Sequence, residues 1–179
     1  MMSNKWTTVD LLRHARHDWL NQLQLIKANL SLGRTERAKE IMNEVIELSR
    51  EESRISNLKT PNLSEYLLTY NWLKHPVKLY GKVNGESGDF SLFEEELLHT
   101  TKEVCDVLNN SISGYDEYSL TVTFDPAALR VCYAFQGALT DEKDTYEVLR
   151  NIFSTHKSML LIESYNQENK CYFDIQLTS

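Results

Sequence analysis

The sequence predicts an α+β protein in two parts: a helical hairpin over residues 1–60 that dimerises into a four-helix bundle, and an α/β domain over residues 61–179. Three observations carry this reading. Apolar residues recur at helical spacing on either side of Gly33. After Lys59-Thr60-Pro61 the pattern changes to short alternating runs between helical ones. The first helix also carries more apolar surface than one neighbouring helix would cover.

Along the first helix, taking Leu12 as reference and about 100° per residue, Ala15, Trp19, Leu23, Ile26 and Leu30 share one stripe. Leu32-Gly33-Arg34-Thr35 closes it, with Gly33 as a left-handed cap and Thr35 opening the second helix. That helix repeats Ala38, Ile41, Val45, Leu48 and Ile55, while Met42 and Ile46 widen its stripe. Each arm is about 22 to 25 residues, or roughly 35 Å. Leu11, Leu25 and Leu32 lie off the main stripe, so two hairpins about a two-fold axis would bury the excess and give an obligate homodimer. The alternative is a hairpin packed on its own C-terminal half.

In the second part, Leu63, Tyr66, Leu67, Tyr70 and Leu73 predict a helix from about Leu63 to Lys74, ended by Pro76. Val77, Leu79 and Val83 alternate as a strand before the turn at Asn84 to Gly88. Ser91 and Glu94 read as a capping box opening a helix to about Ser113. A strand hairpin follows at Ser119–Phe124 and Leu129–Phe135, then a helix from about Asp141 to Phe153. Two last strands, Ser158–Tyr165 and Cys171–Leu177, are joined through Asn166 to Lys170. A sheet with helices on one face satisfies this order. The chain shows no internal repeat and no low-complexity tract.

Composition narrows the function. With 41% hydrophobic residues the chain can bury a core, and a net charge of −7 argues against nucleic-acid binding, which needs a basic field. No apolar run approaches the roughly 20 residues that span a bilayer, and Met1-Met2-Ser3-Asn4-Lys5-Trp6 lacks a signal-peptide core. A cytoplasmic protein with protein partners and no membrane association is expected. Cys105, Cys132 and Cys171 are an odd, separated set in apolar patterns, which suits reduced core side chains.

One side chain stands apart from the apolar stripe. His17, between Arg16 and Asp18, lies roughly 140° from Leu12, on a strip shared with His14, Asn21, Gln24 and Ala28. It reads as a presented imidazole. His14 and His17, three apart, could also share a metal ion, but a stable site needs three or four ligands and none is nearby in sequence. His75, His99 and His156 sit in elements with no partner motif and are given no role.

The run Arg16-His17-Asp18-Trp19-Leu20-Asn21-Gln22-Leu23-Gln24-Leu25-Ile26, continuing through Lys27-Ala28-Asn29-Leu30-Ser31-Leu32 and the linker Ser56-Asn57-Leu58-Lys59-Thr60-Pro61, resembles the sporulation initiation phosphotransferase B family of spore-forming bacilli. The resemblance covers most of the first half and, more loosely, the remainder. It implies a dimer that relays phosphate between response regulators on a bundle histidine, and places that role on His17. It also implies a single-domain response regulator as donor and the receiver domain of a sporulation transcription factor as acceptor. The expected cofactor of this chain is none, with Mg2+ held by the partners.

The residue types suit that chemistry. A neutral imidazole nitrogen attacks the phosphoaspartate in line, and the phosphohistidine is then attacked by the next aspartate. Asp18 can favour one tautomer, Arg16 can balance charge, and Asn21, one turn on, can hydrogen-bond the phosphoryl oxygens or the partner's loop. Leu20, Gln24, Lys27 and Ala28, on or beside the His17 strip, are the expected partner contacts. Each of these supporting residues has a plainer alternative as bundle packing or a solvated helix face. The chain begins a short stretch before His17, so any sensing is expected to come from the partners.

Two other functions compete. The His-Asp-x-x-Asn pattern also resembles the phosphoacceptor hairpin of citrate-type sensor kinases, whose ATP-binding domain has an Asn-bearing helix and an Asp-x-Gly-x-Gly loop. Here the second half resembles a degenerate version of that domain. Asn110 stands as a remnant of the helix motif; with Gly137 as the first loop glycine, Phe135 takes the aspartate's place and Leu139 that of the second glycine. ATP binding is therefore not expected. The other competitor is a non-enzymatic dimeric module that docks a response regulator without taking its phosphate.

Overall fold

A computed structural model describes residues 7–112, 117–167 and 169–178. They form two compact units, Met1–Arg50 and Glu51–Ser179. No helix among the described residues is long and apolar enough to cross a membrane.

The first unit is built on α1 (Thr8–Ser31) and most of α2 (Thr35–Ser56). Thr7 caps α1 in a capping box, its hydroxyl accepting from the Asp10 amide while the Asp10 carboxylate accepts from Thr7. Those hydrogen bonds hold the Asp10 carboxyl below the usual carboxylate range. Gly33 ends α1 at φ 72°, where a glycine carries no Cβ penalty. The Arg34 amide reaches Asn29 O at 2.9 Å and the Gly33 amide reaches Leu30 O at 3.0 Å, the paired bonds of a Schellman cap. Thr35 is the first helical residue of α2 rather than its cap.

The hairpin covers only part of the predicted stripe of α1, at Ala15 and Ile26. Leu11, Ala15, Gln22, Ile26 and Asn29 are buried or half-buried, as are Ala38, Ile41 and Val45 of α2. Leu12, Trp19, Leu23 and Leu30 are 59%, 51%, 56% and 51% exposed. On an ideal helix the two sets are centred about 75° apart, so the hairpin uses the neighbouring, more polar face and leaves the greasier one uncovered in the single chain. Periodicity finds an apolar face without saying which partner takes it.

The second unit contains the last turn of α2, α3 (Pro61–Thr69), β1 (Val77–Val83), α4 (Glu94–Ser111), β2 (Tyr118–Asp125), β3 (Arg130–Gln136), α5 (Glu142–Thr155), β4 (Met159–Gln167) and β5 (Lys170–Leu177). The sheet order is β1-β2-β3-β5-β4. β1 pairs with β2 in parallel through the α4 crossover, and the other pairs are antiparallel. Alternate residues, including Leu79, Leu120, Val122, Tyr133, Phe173 and Ile175, point into one core with Leu97, Leu108, Leu149 and Phe153. Phe153 sits 4.9 Å from both the Tyr133 and Phe173 rings.

Several predicted element ends shift for local reasons. The helix expected to Lys74 stops at Thr69 and continues as a 3-10 turn, Tyr70–Trp72. There the Asn71 side chain donates to Leu79 O at 2.6 Å and accepts from the Leu79 amide at 3.0 Å, acting as a short extension of the sheet beside β1. No capping box forms at Ser91 and Glu94. Ser91–Phe93 is a 3-10 turn, Ser91 bonds Asp89, and the Glu94 carboxylate accepts from the backbone and side chain of Asn62. α4 ends at Ser111, and its predicted end at Ser113 lies outside the described residues. Asp141 caps α5 by accepting from the Asp144 amide at 3.0 Å.

The cysteines divide between the two sheet faces. Cys105 and Cys171 are buried, and burial pushes each thiol up to about 11. Cys132 is half-buried on the opposite face, where the Tyr172 hydroxyl donates to its sulfur and the thiol approaches Asp174. On that face Asp174 is only 3% exposed and is held by the Arg130 guanidinium through Nε at 3.1 Å and a second contact from Nη2.

Candidate functional site

His17 sits in the third turn of α1 with 72% of its side chain exposed. Its Nδ1 lies 3.1 Å from the Asn21 amide nitrogen and 3.4 Å from an Asp18 carboxylate oxygen. Asn21 follows one helical turn later, about 40° around the axis, which is why its short side chain reaches back. Asp18 diverges by about 100°, yet its side chain bends toward the ring. Both contacts fall on one nitrogen, which leaves Nε2 on the outward edge of the ring.

The expected site and contact residues Arg16, His17, Asp18, Leu20, Asn21, Gln24, Lys27 and Ala28 all lie in α1 and are exposed, whereas His14 on the same strip is half-buried. Leu20 is 52% exposed and flanks His17 at about 60° around the axis. Of the three supporting residues, the structure brings Asp18 and Asn21 to the imidazole; Arg16 projects from the strip without a contact to it among the described hydrogen bonds. A nucleophile, an acceptor for its second ring proton and an open approach therefore coincide on one helix turn. That arrangement can receive and release a small electrophilic group.

In the second unit, the residues expected to echo a nucleotide site serve the fold. Asn110 donates to Asp106 O at 2.8 Å on the surface of its own helix. Its neighbour Asn109, which sequence reading passed over, donates to the Tyr70 hydroxyl at 2.6 Å and accepts from the Val77 amide at 3.2 Å. The loop after β3 is stitched to the end of α4, with Leu139 bridged to Ile112 and the Thr140 amide donating to Ser111 O at 2.7 Å. Gly137 turns at φ 145°, where a Cβ would stand 2.4 Å from the Tyr118 ring. The glycine here admits a packed tyrosine.

Comparison with known proteins gives a consistent picture. Residues 1–58 match the family model described as Sensor_kinase_SpoOB-type, alpha-helical domain, and residues 59–178 match that of Sporulation initiation phospho-transferase B, C-terminal. The chain is 36% identical over 147 residues to the Sporulation initiation phosphotransferase B of Bacillus subtilis (strain 168), covering 80% of this chain and 77% of that one. Among solved structures, the catalytic domain of histidine kinase ThkA matches at 12% identity and TM-score 0.44, over 69% of this chain and 93% of that one. The cytoplasmic segment of histidine kinase QseC matches at 14% identity and TM-score 0.42, over 80% and 93% of the two chains.

Proposed function

From the membership of this chain in the sporulation initiation phosphotransferase B family, shown by both family models and by the curated relative, we propose that it is a phosphorelay phosphotransferase whose phosphoryl carrier is His17. The observation that carries the assignment is the exposed imidazole with the Asp18 carboxylate facing its Nδ1. With the Nδ1 proton donated to Asp18, the Nε2 lone pair is free to attack. The Nε2–phosphorus bond forms as the bond from phosphorus to the donor aspartate breaks, and that aspartate leaves as a carboxylate. In the second step an acceptor aspartate oxygen attacks phosphorus and the Nε2 lone pair is restored.

Both phosphorylated states have high transfer potential, so this protein's task is to orient and release. Asp18 and Asn21 hold the ring, Arg16 offsets charge as the phosphoryl group passes, and Leu20, Gln24, Lys27 and Ala28 meet the incoming surface. The donor is a single-domain response regulator, and the acceptor is a sporulation transcription factor's receiver domain. Mg2+ belongs to their acidic pockets. The bridge between Leu139 and Ile112 supports a relay without ATP, because it ties together the end of α4 and the loop after β3, the two segments that the sequence resemblance matches to the kinase nucleotide motifs.

The working form is a homodimer in which two hairpins make a four-helix bundle, located in the cytoplasm. Its support is the uncovered row Leu12, Trp19, Leu23 and Leu30, which a second copy would bury. The test is transfer from a purified phosphorylated single-domain response regulator to wild type and to His17→Gln, with and without ATP. Acid-labile, base-stable label on wild type alone, independent of ATP, is expected. Label that requires ATP would make the protein a kinase, and stable binding without label would make it a docking module.

A further inference from the structure

No motif links His99 and His156 in the sequence, yet the fold of the second unit brings them together. His99 and Glu103 are one turn apart on α4, and His156 is the residue that ends α5. The His99 Nδ1 lies 3.3 Å from Glu103 Oε2, and His156 Nε2 lies 4.0 Å from the same oxygen. The two imidazoles meet edge to face with centroids 5.9 Å apart. One donor atom from each of the three residues falls within 4.8 Å of the others, and among the described residues no other such group of three occurs.

We propose that His99, Glu103 and His156 form a binding site for a divalent transition metal of the zinc class, pinning α4 to the connection between α5 and β4. The spacing fits such an ion. Metal–ligand bonds of about 2.0 to 2.1 Å at tetrahedral angles put neighbouring donors about 3.4 Å apart; the separations from Glu103 Oε2, 3.3 and 4.0 Å, stand near that value, and the two imidazoles need only draw in from within 4.8 Å. Two imidazoles and one carboxylate favour a borderline ion over Mg2+ or Ca2+, which take oxygen ligands.

A supporting carboxylate strengthens the assignment. Nδ1 of His156 faces Glu96 Oε1 at 3.9 Å, and the other Glu96 oxygen accepts from the Ser158 hydroxyl. A small closure on metal binding would bring Glu96 within hydrogen-bond reach to accept from the Nδ1–H of His156 and leave its Nε2 lone pair to the metal, the arrangement that fixes the tautomer of many metal-bound histidines. The His156 side chain is only 18% exposed and so held in place, whereas His99 at 63% leaves an entry path and an open fourth position for water.

The test titrates Zn2+ alone into the full chain by calorimetry, using wild type, His99→Ala, Glu96→Gln and the double variant His14→Ala/His17→Gln. His99 is a surface side chain, so its removal leaves the core intact. One zinc per chain is expected, lost in His99→Ala, about tenfold weaker in Glu96→Gln and unchanged in the double variant. Co2+ should give the visible bands of a four-coordinate ion in wild type and not in His99→Ala. No saturable binding to wild type, equal affinity in His99→Ala, or loss of binding in the His14/His17 variant would each overturn the site and leave the three residues as a surface ion-pair cluster.

Discussion

The side-chain amide of Asn21 lies 3.1 Å from Nδ1 of His17, on the same nitrogen that Asp18 approaches at 3.4 Å. The two neighbours favour opposite tautomers. An amide N–H donates to Nδ1 only when the ring proton is on Nε2, whereas the carboxylate accepts a proton carried by Nδ1 and frees Nε2.

Removing the carboxylate should therefore populate the unreactive tautomer. In Asp18→Ala, phosphoryl acceptance in a single-turnover experiment is expected to slow about tenfold with regulator binding unchanged. An unaltered rate would show that the ring is oriented by something other than Asp18.

The uncovered row on α1 gives a second expectation. Leu23 is 56% exposed at the middle of that row, and Leu23→Glu would place a charge where two hairpins are proposed to meet. Light scattering should give the mass of two chains for wild type and of one chain for the variant. Wild type that is already monomeric at micromolar concentration would remove the bundle.

Asp174 has its partner in Arg130, whose side chain is 35% exposed. Losing that partner strands a nearly buried carboxylate, so Arg130→Met should cost about 2 to 3 kcal/mol in urea unfolding. Adding Asp174→Leu should recover most of the loss, because the penalty belongs to the unpaired charge. A double variant no better than the single would place the effect in packing.

Lys59, at φ 59° after α2, reaches the Asp89 carboxylate at 2.7 Å. Together with the Ser91 hydroxyl and amide it lowers the Asp89 carboxyl from 3.8 to about 2. A depressed folded-state value means stability that is present above 3.8 and lost as pH falls through about 2. Asp89→Asn should thus be less stable than wild type near neutral pH, and the two unfolding midpoints should converge toward pH 2. A difference that persists in acid would assign the effect to shape.

Much of the local structure can be read in the sequence. Gly33 marks the hairpin because only a left-handed residue closes a Schellman cap there, and Asp141 marks the start of α5 because its carboxylate meets a free helix amide. His17 could be singled out since it lies off every apolar stripe. What pairs distant segments was hidden. Nothing local says that β1 lies parallel to β2 across α4, that Asn71 serves Leu79, or that His156 comes to rest beside His99. Ser91 and Glu94 had the right spacing for a cap, but Asp89 and Asn62 offered them better partners.

The sheet ends at β4 and at β1, where side chains of Asn109, Asn71 and Glu51 already take the amides of Val77, Leu79 and Val83, and both edges are built to refuse further strands. Between Leu161 and Glu163 the register of β4 slips against β5, so the outer line of amides and carbonyls is bent just where Leu160 and Ile162 would otherwise offer a flat, sticky template. At the far edge β1 carries Lys78 and Lys82 around Gly81. Chains crowded together during synthesis would thus meet a kink on one side and like charge on the other, a safeguard against fibrous association.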